Sequence, residues 1–371
     1  MHTQFIPLLQ TAPGVQHSLQ VMRFGVGLTG PKAYIQASLH ADEAPAMLVA
    51  HQLAQSLVGH EQSGALLGEV IVVPYANPIG LAQIQLGQQE GRFDLTDGIN
   101  FNRGYPDLAK LVQDVVANCL THSANHNVQL IRQAFRAGLN TLTPTSTTQH
   151  LKHTLLGLAI DADVVLDLHC DNEAVLHLYG LTDQSEQLEE LGRLMGARAI
   201  LTSHEAGDSP FDESCALPWQ TLQSRFPQHA IPSACFGATV ELRGEQDTDM
   251  ELARQDAGGI LKFLARHGVL ALDEQTLPPP LCQVTPLSAS EPLLAPHAGV
   301  IIYHCAPGET VGVGTSVADV FDPATGRVTP VRCQSDGVFY ARSSHRWATP
   351  GKRLGKVAGR TLQRSGKLLS P

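Results

Sequence analysis

An early alternation of apolar runs with a helical pattern is the feature that most constrains how this chain can fold. The runs AYIQASL (33–39) and EVIVVPYANP (69–78) have strand length, and PAMLVAHQLAQSLV (45–58) between them repeats apolar residues every three or four positions. The leading proline of that segment is compatible with the first turn of a helix. A strand, a helix and a second strand in succession are typical of layered α/β domains. The pattern therefore predicts an α/β domain.

Later segments extend the same pattern. ADVVLDLHC (162–170) and ATVELRG (238–244) are predicted as strands, and MELARQDAGGILKFLARHG (250–268) is predicted as a helix with Gly268 at its C-cap. Two stretches of weaker pattern, about 76–107 and 202–235, are rich in Gly, Pro, Asn, Gln and Ser. We interpret both as long loops, which in compact domains are usually functional.

The composition changes after the last predicted helix. Residues 273–296 are rich in proline and end the alternating pattern. We therefore expect a large domain over 1–275, a linker over 276–292 and a smaller domain over 293–371.

The smaller domain contains a weak internal repeat. Gly299-Val300 and Gly337-Val338 open two halves of short apolar runs with turn residues between them, which predicts a small all-β barrel-sandwich. The arrangement resembles biotinyl/lipoyl domains, in which a carrier lysine lies between the halves. Here the connecting stretch 322–332 has no lysine, and Lys352 and Lys356 fall in the second half. We expect a structural or lid role rather than a carrier role.

Charge and composition limit the kinds of partner. The net charge is -10 and the pI is about 5.9, so we expect no binding to nucleic acid or to an anionic membrane surface. No segment approaches 18 uninterrupted apolar residues, and no basic leader precedes an apolar stretch. The seven cysteines are scattered without a C-x-x-C pair, so they suggest neither a disulfide framework nor a zinc knuckle. These features favour a cytoplasmic protein with a small-molecule partner and leave its oligomeric state open.

Three residues at predicted strand ends have side chains that bind metals. His40 ends the first strand, Glu43 lies in the turn before the helix, and His169 ends a later strand. Open α/β sheets bind ligands at the carboxyl ends of their strands, and a catalytic zinc usually takes three protein ligands. An H-x-x-E pair alone is common by chance, and its simpler interpretation is a polar strand end beside a helix start.

Other candidates for chemistry lie in a loop and on a strand. Arg92, Asn102 and Arg103 belong to the Gly-rich segment 91–107, and a guanidinium suits bidentate capture of a carboxylate. Glu241 is an acidic residue within an apolar strand and could act as a general base. The structural alternatives are solvated arginines and a Glu241 that pairs with Arg243 or caps an edge strand.

Taken in order, these pieces resemble the zinc carboxypeptidase-like family, and more closely its succinylglutamate desuccinylase/aspartoacylase branch. The matching segments are NPIGLAQ, GRF, NFNR, LDLHC and TVELRG, and the resemblance covers roughly 33–265. The sequence departs from the branch at Ala41-Asp42, where Gly-Asp is common, and at Asn100-Phe101, where Asp-Leu is common. The interval between Arg92 and Asn102 is also longer than in that branch.

The resemblance implies a fold, a cofactor and a set of residue roles. The fold would be a mixed central sheet flanked by helices, followed by the small β domain. His40, Glu43 and His169 would bind one Zn²⁺ per chain. Glu241 would be general base and then proton donor, Arg92 would polarise the scissile carbonyl, and Asn102 with Arg103 would hold the substrate carboxylate.

The implied activity is hydrolysis of the amide bond of an N-acyl amino acid or a related small carboxylate-bearing amide. Two alternatives remain at this point: a zinc carboxypeptidase that acts on peptide C-termini, and a non-catalytic ligand-binding protein with a vestigial site. Specificity is expected in the loop 202–235. There His204, Glu205 and Asp208 form either a second metal cluster or, as we favour, a solvated loop.

Overall fold

A computed structural model of the chain describes residues 1–273, 276–361, 364–366 and 368. The α-helices are α1 (Pro45–Gln62), α2 (Pro78–Leu81), α3 (Leu108–Val116), α4 (Ala124–Asn140), α5 (Thr147–Ala159), α6 (Ser185–Met195), α7 (Phe211–Arg225) and α8 (Met250–Arg266). The strands are β1 (His2–Pro7), β2 (Ser18–Phe24), β3 (Ala33–Ala37), β4 (Val70–Val73), β5 (Ile84–Gln85), β6 (Gln88–Gln89), β7 (Val164–Asp171), β8 (Glu173–Ala174), β9 (His177–Leu181), β10 (Ala199–Ser203), β11 (Phe236–Gly244), β12 (Val284–Pro286), β13 (Ser290–Leu294), β14 (Gly299–Tyr303), β15 (Thr310–Val311), β16 (Ser316–Phe321), β17 (Val328–Arg332), β18 (Gly337–Arg342), β19 (Trp347–Ala348) and β20 (Arg353–Gly359).

A nine-stranded mixed sheet forms the centre of the described structure. Its order is β1-β2-β4-β3-β7-β11-β9-β10-β12. β4, β3, β7 and β11 run parallel, whereas β9 is antiparallel to β11 and β2 is antiparallel to β4. The four strands and the two helices, α1 and α8, that were predicted from the sequence are confirmed, as is the mixed α/β fold class.

Strand alternation places the polar residues of the central strands on one face. Successive side chains of a strand point to opposite faces of its sheet. In β7, Leu166 and Leu168 pack into the core formed with α1, α6 and α8, while Val165 packs into the core formed with α3, α4, α5 and α7. His169 of β7 and Glu241 of β11 therefore belong to the second face, at the carboxyl edge of the sheet.

The prediction of one long loop over 202–235 is wrong. This stretch contains the 15-residue helix α7, with Pro218 in its interior. Polar Asp212 and Glu213 are buried in its first turn, so the helix lacks the clear apolar periodicity that sequence analysis depends on. The other predicted loop, 76–107, is irregular apart from α2 and the β5–β6 hairpin.

The C-terminal part forms the predicted small all-β unit from two antiparallel sheets. One contains β13, β20, β18 and β15, and the other contains β17, β16, β14 and β19. β12, inside the predicted linker 276–292, instead pairs with β10 as the last strand of the large sheet, and β13 begins at Ser290. Part of the predicted linker is thus regular structure, and the domain boundaries stay a prediction. None of the described helices is long and apolar enough to cross a membrane.

Candidate active site

A tight turn between β3 and α1 brings His40 and Glu43 together. Ser38 takes a left-handed backbone conformation (φ 56°), and its hydroxyl donates to the Glu43 carbonyl oxygen at 2.8 Å. The Glu43 amide donates to the His40 carbonyl oxygen at 3.1 Å and closes the turn. Both side chains are buried at the carboxyl edge of the sheet, in the positions expected from the sequence.

His40, Glu43 and His169 form a buried cluster with the geometry of a metal-binding group. His40 Nδ1 lies 3.0 Å from Glu43 Oε1, and His169 Nδ1 lies 2.7 Å from Glu43 Oε2. One donor atom from each residue lies within 4.8 Å of the other two. Among the residues that the structure describes, no other group of three or more His, Cys, Asp or Glu side chains is arranged in this way.

The outer nitrogen of each imidazole faces an acceptor. His40 Nε2 lies 2.9 Å from Asn100 Oδ1, and His169 Nε2 lies 2.9 Å from Asp167 Oδ2. Asp167 is itself fixed, because its Oδ1 accepts a hydrogen bond from Gln36 at 2.9 Å. The acceptor at His40 Nε2 favours the tautomer that leaves Nδ1 of this ring free to bind a metal.

Burial and neighbouring charges shape the ionisation of the cluster. Burial, with a contribution from Arg92, lowers the pKa of His40 to about 4, so that this imidazole is neutral. Burial alone would raise the pKa of Glu43, but His169 and His40 outweigh it and hold that pKa well below the usual range. His40 and Glu43 thus have the protonation states that metal binding requires. Burial alone would lower the pKa of His169, but Asp167 and Glu43 outweigh it and hold that pKa well above its usual value, so a bound metal would displace a proton from this ring.

Arg92, Asn102 and Arg103 all line the same cavity as the cluster. Arg92 Nη2 donates to Glu43 Oε1 at 3.0 Å. Asn102 is buried, its Nδ2 lies 3.1 Å from His169 Nε2, and its Oδ1 accepts from the Phe211 amide at 2.8 Å. Arg103 Nη1 donates to the Asn102 carbonyl oxygen at 2.7 Å. The long sequence interval between Arg92 and Asn102 therefore does not prevent these three residues from lining one cavity.

Glu241 lies beside His169, because β11 and β7 are parallel and pair these two residues in register. Its Oε2 is buried without a hydrogen-bond partner among the described residues. Burial, and then the carboxylates of Glu43 and Asp171, raise the pKa of Glu241 to about 8. The alternative that Glu241 pairs with Arg243 is wrong, since Arg243 makes a bidentate pair with Asp256 at 2.8 and 2.9 Å.

The cavity has a volume of about 480 Å³ and two kinds of wall. One wall is the carboxyl edge of the large sheet with its loops, and the other comes from the C-terminal β unit, including Tyr340, Arg342, Arg353 and Lys356. His204, Glu205 and Asp208, the loop residues considered as a second metal cluster, do not form such a cluster. The His204 side chain is 82% exposed.

The sequence-based predictions assigned no role to Asp167 and Asn100, which contact the cluster from outside. Asp167 could have been found, because it lies two positions before His169 and therefore on the same strand face. Asn100 carried no such signal, since its position depends on a loop that folds back through the bridge between Phe93 and Asn100.

The fold is a mixed α/β sheet, and its carboxyl edge carries a buried His-Glu-His group. This combination is that of a class of proteins that can bind a metal ion in a cavity. A sequence model of the succinylglutamate desuccinylase/aspartoacylase catalytic domain matches residues 29–267. The chain belongs to this family, whose members are deacylases that act on small molecules.

Solved structures agree with this assignment. A protein from Shewanella amazonensis SB2B, assigned to the succinylglutamate desuccinylase/aspartoacylase family, is 28% identical, with a TM-score of 0.84 and coverage of 96% of this chain and 98% of that one. A protein from Shewanella frigidimarina NCIMB 400, assigned to the same family, is 25% identical, with a TM-score of 0.83 and coverage of 96% and 97%. The product-bound ectoine utilization protein EutE (DoeB) from Ruegeria pomeroyi is 16% identical with a TM-score of 0.67 over 97% and 95% of the chains, and it shares the fold. No match is found among curated proteins.

Proposed function

We propose that this protein hydrolyses the amide bond of an N-acyl amino acid or a related small carboxylate-bearing amide, with one Zn²⁺ held by His40, Glu43 and His169. The observation that carries the proposal is the convergence of both imidazole Nδ1 atoms on Glu43, beside a buried Glu241 carboxylate with no hydrogen-bond partner among the described residues. Family membership supports the deacylase class.

The donor set suits zinc. Two imidazole nitrogens and one carboxylate are a common set of three protein ligands in catalytic zinc sites, which keep a further position for water or substrate. The acceptors at Asn100 and Asp167 supply the outer contacts that orient metal-binding histidines. A bound Zn²⁺ would supply a Lewis acid and lower the pKa of water from about 15.7 to about 7.

Glu241 is assigned the proton transfers. Its Oε2 accepts the proton of the attacking water and then returns it to the leaving amine. The pKa of about 8 reflects burial and nearby carboxylates, and His169 and Lys356 oppose that effect. Proton return to an amine requires a group whose pKa lies near the working pH, which a raised carboxyl pKa provides.

The arginines are assigned to charge and orientation. Arg92 lies beside Glu43, where its guanidinium stabilises the oxyanion that develops on the scissile carbonyl. Asn102 and Arg103 hold the carboxylate of the substrate, because an amide and a planar guanidinium together match its geometry. Asp212, Asp208 and Glu213 also attract Arg103, so these carboxylates balance part of its positive charge.

The small cavity favours a deacylase over a carboxypeptidase. Side chains of β18 and β20, including Tyr340 and Lys356, form part of its wall. A volume of about 480 Å³ suits a ligand of small-molecule size. A polypeptide that presents its C-terminus needs a more open approach.

The test is amine release from N-acetyl, N-succinyl and N-formyl amino acids and from short peptides, with the zinc-loaded protein beside Glu241→Gln. We expect wild type to cleave an N-acyl amino acid and Glu241→Gln to keep its zinc without turnover. Equal activity in the variant would remove Glu241 from the mechanism. Loss of C-terminal residues from peptides would show a carboxypeptidase, and silence of the zinc-loaded wild type on the whole panel would favour a binding protein.

A further inference from the structure

A lysine of the C-terminal β unit reaches into the cavity described above. Lys356 belongs to β20 and lines the cavity, where its ammonium forms an ion pair with Asp171 Oδ2. The ammonium also lies 5.8 Å from the centre of the Tyr340 ring. Its side chain is 20% exposed, so most of it is withdrawn from solvent. A lysine from the second unit thus contacts the first at the functional site.

Asp171 is the last residue of β7 and shares a strand face with His169 and Asp167. Its carboxylate is close enough to Glu241 to raise the pKa of that residue, and Arg92 is attracted to both. Asp171 and Glu241 both line the cavity, and the buried Glu43 lies close enough to raise the pKa of Glu241 as well. Such a group of like charges needs cations to balance it.

Lys356 is the positively charged partner that balances Asp171. Among the described residues, the ion-pair contacts of Asp171 are Lys356 and His177, whose Nε2 is 3.9 Å away. Burial lowers the pKa of His177 to about 4, so that this ring is uncharged near neutrality. Without Lys356, Asp171 would be a largely buried carboxylate that lacks its charged partner, two positions beyond a metal-ligand candidate.

The chain around Asp171 is attached to the β unit by further contacts. β8 pairs with β18 through Glu173 and Arg342, whose side chains also form an ion pair at 2.6 Å. Ser344 donates to Glu245 Oε1 at 2.8 Å, close to the end of β11. These contacts fix the end of β7 against the β unit. Two residues of that attachment, Arg342 and Lys356, also line the cavity, and Lys356 is the one that pairs with Asp171.

We propose that Lys356 is a positioning residue of the active site, which holds Asp171 in an ion pair and thereby keeps this carboxylate from approaching the metal position and the water that Glu241 would deprotonate. The proposal rests on the proposed function for its effect on turnover, but its effect on metal binding does not require the substrate to be known. The β unit then contributes to the charge balance of the site in addition to its wall. A carboxylate released beside a metal position would attract the cation and compete with water for it.

A double-mutant cycle tests the proposal with wild type, Lys356→Met, Asp171→Asn and the double variant, all as full-length chains. Lys356→Met is expected to lower kcat about ten- to a hundredfold with a smaller change in KM, since small misplacements of reacting groups have effects of this size. The double variant should recover most of the loss, because the unpaired carboxylate is gone. Lys356→Arg should stay close to wild type. A double variant as slow as Lys356→Met would overturn the proposal, since Lys356 would then act on the substrate or on Glu241, whose pKa its charge lowers, and not through Asp171.

The zinc dissociation constant, measured by competition with a chelator, is the second readout of the same cycle. Lys356→Met is expected to bind zinc about tenfold more tightly, because a positive charge is lost and a carboxylate is freed nearby. Asp171→Asn in the same chain should reverse the change. General disruption of the site would instead weaken zinc binding in Lys356→Met, and that result would contradict the proposal.

Lys352→Met is the matched control. Lys352 lies on the same unit, donates to the Trp347 carbonyl oxygen at 2.8 Å and is not part of the cavity wall. The Lys352→Met substitution should leave kcat and the zinc dissociation constant unchanged. If wild type cleaves no substrate of the panel, the proposed function fails while the zinc cycle still decides the role of Lys356: a reversible tightening supports it, and additive effects of the two substitutions overturn it.

Discussion

The two walls of the cavity are built in opposite ways. On the wall of the large sheet, the side chains are tied to one another: Glu43 contacts both histidines, and Asn100 and Asp167 contact the outer imidazole nitrogens. The described residues of the β unit that line the cavity include the cations Arg342, Arg353, Lys356 and Arg364 and no carboxylate. The sheet edge can therefore preorganise a metal site by itself. The β unit affects the charge and the access of this site, whose ligand candidates all belong to the large sheet and its loops.

Loss of a ligand from the sheet wall should have the largest effect. His169→Ala removes one of three donors and leaves Glu43 with one imidazole, so zinc content and amide hydrolysis should both fall to background. Zinc per chain by elemental analysis and amine release measure the two effects. The matched control is His204→Ala, which changes an exposed histidine outside the cluster and should keep full zinc content. Retention of zinc by His169→Ala would contradict the view that the sheet wall supplies the metal ligands.

The strand ends and the ligand candidates could be predicted because their signals are local. Alternation in β7 and β11 sets which face His169 and Glu241 occupy, and H-x-x-E spans a single turn. Other features depend on long-range packing. α7 is hidden by Pro218 and by buried acidic residues in its first turn.

Lys356 shows most clearly where sequence reasoning ends. Its partner Asp171 lies 185 positions earlier in the chain, so the pair forms only when the β unit packs against the end of β7. Asn100 is a smaller case, because 60 positions separate it from His40 and a loop must fold back to join them. No local pattern marks either residue for its contact.

An intermediate effect is expected from the outer contacts of the sheet wall. Asn100→Ala removes the acceptor at His40 Nε2 and so frees the ring to rotate and to change its tautomer. Loss of such a contact typically weakens metal binding about ten- to a hundredfold. Competition for zinc with a chelator measures the change, with the exposed Asn125→Ala as the matched control. An unchanged dissociation constant would mean that Glu43 and Arg92 alone orient the imidazole.

The smallest effect is expected from a cation of the β wall that does not contact Asp171. Arg342 pairs with Glu173 at 2.6 Å and donates to the Cys305 carbonyl oxygen at 2.9 Å, and both members of the pair are partly exposed. Arg342→Met should lower the free energy of unfolding by about 1–2 kcal/mol, since hydrogen bonds to charged groups contribute on this scale. Denaturant unfolding measures the loss, and the zinc dissociation constant should not change. A tightening of zinc binding like that expected for Lys356→Met would mean that any cation of the β wall balances the site, and the specific pairing of Lys356 with Asp171 would lose its significance.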